Sequence, residues 1–143
     1  LTALVAGNAQ ASLFDRGSGL IYDDVLDVTW IQDANYAQSS GFDSDGLLTH
    51  IEAVKWTENL NYAGYTDWRL PKANPINGSY YVYEPFTTIG TTDIGYGITS
   101  PYSEMAYMYY VNLGNIGGTA PGGGASGCYI SEGDTCLNIR AHF

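Results

Sequence analysis

The chain has 143 residues, of which 45% are hydrophobic and 14% charged, so it is long enough for one domain with a core and too apolar for a disordered chain. Fifteen acidic residues against five basic ones give a net charge of -10, which repels phosphate backbones and anionic lipid surfaces and argues against a nucleic-acid partner. No apolar run reaches the length of about 18 residues that a membrane span needs.

The N-terminal residues 1–11 resemble the end of a secretory signal peptide, with a small-x-small cleavage pattern at Ala9-Gln10-Ala11. Cleavage there would leave Ser12 first and implies export. The alternative is an apolar N-terminal arm that packs on the domain or on a neighbouring chain. Residues 12–143 form the single predicted domain.

Strands are predicted at the start of this domain. Two short apolar runs, Leu13-Phe14-Asp15 and Leu20-Ile21-Tyr22-Asp23, flank the glycine pair of Arg16-Gly17-Ser18-Gly19, a pattern typical of a hairpin. Val28-Thr29-Trp30-Ile31 follows a turn and is a third candidate strand. The domain is therefore expected to open with antiparallel β-structure.

A polar loop follows and suggests a cation site. Asp43 and Asp45 in Asp43-Ser44-Asp45-Gly46 could place carboxylate oxygens about one Ca²⁺ ion, as in half of a calcium loop. Val54 stands where an EF-hand needs its bidentate glutamate. The alternative is a solvated turn capped by the aspartate side chains. Calcium is the one cofactor that the sequence suggests.

The first long helix is predicted after this loop. Thr49-His50-Ile51-Glu52 has the spacing of a capping box, and Ala53, Trp56 and Leu60 recur at helical intervals. Gly64 is the predicted end, as a left-handed C-terminal residue.

The octapeptide "GYTDWRLP", residues 64–71, follows this helix. Trp68 can bury its ring, and the guanidinium of Arg69 can hold a carboxylate or several carbonyls through its five donors. Pro71 then favours an extended exit. We interpret the segment as a structural clasp, with Trp68 and Arg69 buried and with Trp30 and Trp56 as further members. The alternative is a substrate-binding arginine.

Tyrosines are dense in two later segments. The run Ser79-Tyr80-Tyr81-Val82-Tyr83 has strand composition, and because a strand buries one face, some of Tyr80, Tyr81 and Tyr83 should reach the surface and contact sugar rings or a protein. Core packing is the alternative for this set. A second helix is predicted from Ser100-Pro101 through Leu113 to a stop at Gly114, with its tyrosines in the core.

The C-terminal part holds both cysteines, Cys128 and Cys136, after a glycine-rich stretch at 117–127 that predicts a loop or tether. In an exported protein their spacing predicts a small disulfide loop. They do not suggest a zinc site, because His50 and His142 lack the ligand spacing that zinc needs.

Three blocks of the sequence resemble the Lcl C-terminal-like domain family: "GLIYDDVLDVTWIQDANYA" (19–37), "THIEAVKWTENLNYAGYTDWRLP" (49–71) and "SEMAYMYYVNLGN" (103–115). The family is named for the terminal domain of a bacterial collagen-like adhesin and is similar to exported proteins with a PEP-CTERM sorting tail. The resemblance implies an α+β, C-type-lectin-like fold with short antiparallel strands, two helices and long loops. It also implies extracellular placement, no known catalysis and, as in the adhesin, a trimeric, glycosaminoglycan-binding role.

The chain departs from that family in two ways. Family members continue past a segment resembling 135–143 into closing strands, so these strands are expected to be missing or to come from another subunit. The strongly acidic composition also disfavours a sulfated polysaccharide as the ligand.

Enzyme motifs such as a Gly-x-Ser-x-Gly elbow, a phosphate loop or His-Glu-x-x-His do not occur, so we expect no catalysis. The predicted function is a secreted or cell-surface adhesion module for glycans or matrix components. The alternative is a self-assembling subunit of an extracellular multimer or filament, a homo-oligomer joined through residues 1–11 or an open sheet edge.

Overall fold

The computed structural model describes residues 12–117. Its elements are β1 (Leu13–Gly17), β2 (Leu20–Asp23), β3 (Val28–Ile31), α1 (Tyr36–Ser39), α2 (His50–Glu58), α3 (Glu104–Tyr107) and a π-helix (Met108–Asn112). The strands form one antiparallel sheet in the order β1-β2-β3, which with the few helices is compatible with the α+β class. The proposed arm at 1–11 and the cysteines at 128 and 136 lie outside the described residues. Within 12–117 no helix combines the length and the apolar character needed to cross a membrane.

The predicted hairpin and third strand are confirmed. Gly17 pairs with Leu20, which leaves Ser18 and Gly19 as a two-residue turn. Both turn residues have positive φ, 55° and 72°, the conformation in which a two-residue turn matches the twist of its strands. The glycine of the turn is therefore a backbone requirement.

A buried carboxylate connects the sheet to the π-helix. Asp23, at the end of β2, is fully buried and accepts hydrogen bonds from the backbone amides of Val25 (3.1 Å) and Leu26 (3.0 Å). Its second oxygen accepts from Asn112 Nδ2 at 2.6 Å, across 89 residues of sequence. These three donors satisfy the buried carboxyl oxygens and fix the turn before β3.

The capping box of α2 is confirmed. Thr49 Oγ1 accepts from the Glu52 amide at 3.4 Å, and Glu52 Oε2 accepts from the Thr49 amide at 2.9 Å. The predicted end at Gly64 is wrong, because α2 ends at Glu58. The left-handed Gly64 (φ 86°) instead belongs to a tight turn closed by the Tyr62–Tyr65 bridge.

The second helix begins later than predicted. Ser100 does not cap it: its hydroxyl donates to the Ile76 carbonyl at 2.7 Å, and α3 starts at Glu104. The helix then widens into the π-helix, whose Leu113 amide reaches back to the Met108 carbonyl at 3.0 Å. The apolar spacing of this segment did not reveal the wider turn.

The tyrosines of this second helix pack largely inward. Tyr107 and Met108 belong to the buried hydrophobic core, and Tyr109 and Tyr110 are half-buried and meet edge-on, with ring centroids 4.8 Å apart. Core packing was the predicted role of this set.

The predicted strand at 79–83 is wrong. Asn77 Oδ1 accepts from the amides of Ser79 (2.9 Å) and Tyr80 (3.0 Å), which bends the chain into a turn. The amide of Val82 then donates to the Asp93 carboxylate. A side chain thus takes the place of a neighbouring strand.

The short helix α1 was not predicted, since its four residues carry no periodic signal.

Candidate functional site

The octapeptide is joined to α3 by a bidentate ion pair. Arg69 Nη1 and Nη2 donate to Glu104 Oε2 and Oε1 at 2.7 and 2.8 Å, and the Lys72 amide also donates to Oε2 at 2.7 Å. The Glu104 side chain is 9% exposed and that of Arg69 is 44% exposed. The predicted pairing of Arg69 with a carboxylate is confirmed, but its predicted burial is wrong, because the side chain is exposed and only its partner Glu104 is buried.

Electrostatics keep this pair ionised. Burial raises the pKa of the Glu104 carboxyl. The hydrogen bonds from Arg69 and from the Lys72 amide, and the positive charges of the Arg69 and Lys72 side chains, lower it by more, so the pKa lies below its ordinary value. The hydrogen bond to Glu104 raises the pKa of Arg69 further above its already high range. Both groups are thus charged at neutral pH.

The Trp68 indole lies in a row of aromatic rings. Its Nε1 donates to the Tyr65 carbonyl at 3.0 Å, and its ring meets Tyr62 edge-on with centroids 5.9 Å apart. Tyr62 in turn meets Tyr36 at 4.7 Å, and Tyr36 lies 6.3 Å from Trp56. The half-buried Trp68 therefore connects the exit of α2 to α1.

All five residues assigned to the clasp line one open cleft of about 990 Å³ between the sheet and the helices: Trp30, Trp56, Trp68, Arg69 and Pro71. The Trp30 Nε1 is buried there and has no hydrogen-bond acceptor in the described part of the chain. The structure thus brings together tryptophans that are distant in sequence.

Two of the three tyrosines assigned to ligand binding form a pair. The rings of Tyr81 and Tyr83 stack with centroids 5.6 Å apart and planes within 10° of each other. They are 49% and 57% exposed. Tyr80 is 67% exposed but belongs to the preceding turn, and the structure does not bring it into this stack.

The stacked pair is anchored beside the ion pair. The Tyr81 hydroxyl donates to the Ala73 carbonyl at 2.9 Å. Ala73 forms a bridge with Ser103. Ala73 directly follows Lys72, and Ser103 directly precedes Glu104. The rings and the ion pair are therefore anchored at the same two paired segments, which fix the base of the tyrosine loop, residues 74–98.

Sequence reasoning missed Asp93. Its Oδ2 accepts from the Val82 amide at 2.7 Å, its Oδ1 accepts from the Ile76 amide at 2.8 Å, and its own amide donates to the Val82 carbonyl at 2.8 Å. No motif marks this aspartate, because its partners lie 11 and 17 residues away in irregular chain.

The aspartates proposed to bind calcium hold a turn. Asp43 Oδ1 accepts from the amides of Asp45 (3.0 Å) and Gly46 (2.9 Å), and Asp45 Oδ1 accepts from the Leu47 amide at 2.9 Å. The backbone and side-chain hydrogen bonds with Asp45 lower the pKa of Asp43. Nowhere in 12–117 do three or more His, Cys, Asp or Glu side chains come together in a way that could hold a metal ion.

Comparison with known proteins adds no relative: no family model, curated protein or solved structure matches the chain. The resemblance to the Lcl C-terminal-like domain family therefore stays a prediction.

Proposed function

We propose that the domain is a non-catalytic, exported binding module that holds a neutral glycan against Tyr81 and Tyr83. The exposed, stacked ring pair is the observation that carries the proposal. A tyrosine ring offers a flat apolar face to the C–H groups of a sugar and a hydroxyl at its edge. Because the Tyr81 hydroxyl is already bonded to Ala73, its ring is fixed before a ligand arrives.

Charge selects among glycans. The net charge of -10 disfavours sulfated or phosphorylated ligands, which the adhesin's glycosaminoglycan role would require. A neutral sugar chain or an uncharged matrix component carries no such penalty. The proposal therefore adopts the adhesive role that the family resemblance implies, but not the glycosaminoglycan ligand.

Placement and scaffold belong to the same proposal. The signal-like residues 1–11 and the resemblance support a secreted or cell-surface protein. The three-stranded antiparallel sheet, the few helices and the long loop at 74–98 support a C-type-lectin-like scaffold. In this scheme the Arg69–Glu104 pair holds the base of the loop and does not contact the ligand.

An array of neutral and sulfated oligosaccharides tests the proposal. We expect the wild-type protein to bind neutral glycans, and the Tyr81→Ala/Tyr83→Ala double variant to bind at least about tenfold more weakly, since loss of about 1.4 kcal/mol has that effect. Tyr65→Ala is the matched control, because Tyr65 is similarly exposed at 56% but lies in a different turn. Equal binding by the double variant, or binding only to sulfated glycans, contradicts the proposal.

A second candidate is self-assembly, favoured by the open edge of the sheet. In the described part of the chain β3 pairs only with β2, so its other edge has unpaired backbone groups that a second copy could use. Light scattering over a dilution series would then show an oligomer that Ile31→Glu dissociates and Leu47→Glu does not. Ile31 lies at the end of β3, and Leu47 is exposed elsewhere. A monomer at every concentration rules this candidate out.

A further inference from the structure

One carboxylate fixes the main chain between the two stacked tyrosines. Val82 lies between Tyr81 and Tyr83, and both of its backbone polar groups bond to Asp93: its amide donates to Oδ2 at 2.7 Å and its carbonyl accepts from the Asp93 amide at 2.8 Å. The stacking of the two rings shows that both side chains lie on the same side of the chain. Holding the residue between them therefore sets the direction of both rings.

The other oxygen of Asp93 connects this segment to the start of the loop. Oδ1 accepts from the Ile76 amide at 2.8 Å, and the Ile76 carbonyl accepts from the Ser100 hydroxyl at 2.7 Å. Asp93 thus joins two segments of the loop that have no strand pairing of their own. The loop is therefore held by this carboxylate together with backbone bonds such as that between Asp93 and Val82.

Asp93 is itself held in place by its neighbour. Thr92 is buried, 3% exposed, and its hydroxyl is within hydrogen-bond distance of the carbonyls of Pro85 (3.1 Å) and Ile94 (2.9 Å). The backbone that carries the Asp93 carboxylate is therefore held in place by Thr92. This is the arrangement expected of a rigid support, since a mobile support would give the rings no defined spacing.

We propose that Asp93 is the positioning residue of the tyrosine site. By bonding to Val82 it aligns the rings of Tyr81 and Tyr83 in advance, so that a ligand does not have to order the loop on binding. Asp93 acts through the backbone and does not touch the ligand. The inference rests on the proposed function for its consequence, although the alignment itself can be measured without any ligand.

Asp93→Asn is the main test. The amide side chain keeps the shape but replaces one acceptor by a donor, so it cannot accept from both Ile76 and Val82. We expect the amide that faces the new NH2 group, that of Val82 or that of Ile76, to exchange its hydrogen at least about tenfold faster, as the loss of a hydrogen bond to a charged group implies. The ring-current-shifted proton signals of Tyr81 and Tyr83 should move towards those of unstacked tyrosine. Asp67→Asn is the control, with the same chemical change at an exposed aspartate.

A titration of cellohexaose, as a neutral pyranose chain, gives the functional readout. We expect Asp93→Asn to raise Kd by about fivefold or more while Asp67→Asn leaves it unchanged. If Asp93→Asn fails to fold, Val82→Pro replaces it, because it removes the donated amide and keeps the bond between Asp93 and Ile76. The same changes in ring signals and Kd are expected.

The outcomes separate the two proposals. Unchanged exchange at both Val82 and Ile76, or unchanged ring signals, in Asp93→Asn overturns the positioning role, whatever the protein binds. If these signals move but wild-type protein binds no neutral glycan on the array, the positioning role stands and the proposed function fails. A fall in thermal stability with intact ring signals and unchanged Kd identifies Asp93 as a general structural residue and also overturns the inference.

Discussion

Glu104→Gln tests whether the ion pair behind the tyrosine loop stabilises the domain. The carboxylate accepts three hydrogen bonds, two from Arg69 and one from the Lys72 amide. Glutamine has one acceptor oxygen and an NH2 donor group in place of the second oxygen. At least one of these donors would therefore face another donor and lose its hydrogen bond. It also leaves the Arg69 guanidinium without its counter-charge.

The expected loss in the free energy of unfolding depends on how exposed Arg69 and Glu104 are. Removing one partner of a fully buried pair costs about 3–5 kcal/mol, whereas exposed pairs contribute about 0.2–1 kcal/mol. Glu104 is 9% exposed but Arg69 is 44% exposed, so solvent screens the pair in part. We therefore expect Glu104→Gln to lower the free energy of unfolding by about 2 kcal/mol, between these limits.

Urea unfolding at pH 7, followed by tryptophan fluorescence, measures this value. Glu58→Gln is the matched control, since Glu58 is exposed at the end of α2 and the change in composition is identical. The control should stay within about 0.5 kcal/mol of wild type. If Glu104→Gln also stays within that limit, the pair contributes nothing net, and the structural role assigned to it is refuted.

Acid titration gives an independent check of the same reasoning. The pKa of Glu104 is lower in the folded protein than its ordinary value of 4.5. A depressed carboxyl pKa contributes stability at pH values above the unfolded pKa, and the contribution is lost as pH falls through the folded pKa. The stability difference between wild type and Glu104→Gln should therefore be full at pH 7 and shrink below about pH 4.5. A difference that does not change with pH contradicts this origin.

Three further substitutions test the scaffold by urea unfolding. Thr49→Ala removes the side-chain cap of α2 and should cost about 1 kcal/mol. Asn112→Ala leaves the buried Asp23 oxygen without its side-chain donor and should cost about 1–3 kcal/mol. Gly19→Ala should cost about 1–2 kcal/mol, because φ is 72° and because the Tyr62 hydroxyl would have to move from its bond to the Ser18 carbonyl.

Each of these has a control. Thr49→Ser keeps the capping oxygen and should stay near wild type. Asn112→Asp removes the same donor but adds a charge beside Asp23, so it should be the more harmful of the two changes at pH 7 and should recover in acid. Gly17→Ala shares the positive φ but meets open space, so it isolates backbone strain from collision. Equal losses for Gly17→Ala and Gly19→Ala would show that the Tyr62 contact does not matter.

The local elements could be predicted because their signals are complete within a few residues. The Thr49 capping box involves partners three residues apart. The hairpin turn depends on the conformation of Ser18 and Gly19 themselves. Neither feature needs another part of the chain. The cap predicted at Ser100 failed for the opposite reason, because its hydroxyl bonds to Ile76, 24 residues away. The end of α2 and the strand at 79–83 were wrong for local reasons, the Tyr62–Tyr65 turn and the Asn77 side chain, which outweigh the composition of their segments.

By itself, then, the sequence determined the three strands at 13–31 and the start of α2. It also marked Arg69 as a residue that would hold an acceptor, but it could not say which of fifteen acidic side chains would be the partner. Only the tertiary structure placed Glu104 there, 35 residues further on, and set Asp93 against Val82 in place of a strand. The reason is physical: a hydrogen bond between distant residues depends on the path of the whole intervening chain, which no local spacing records.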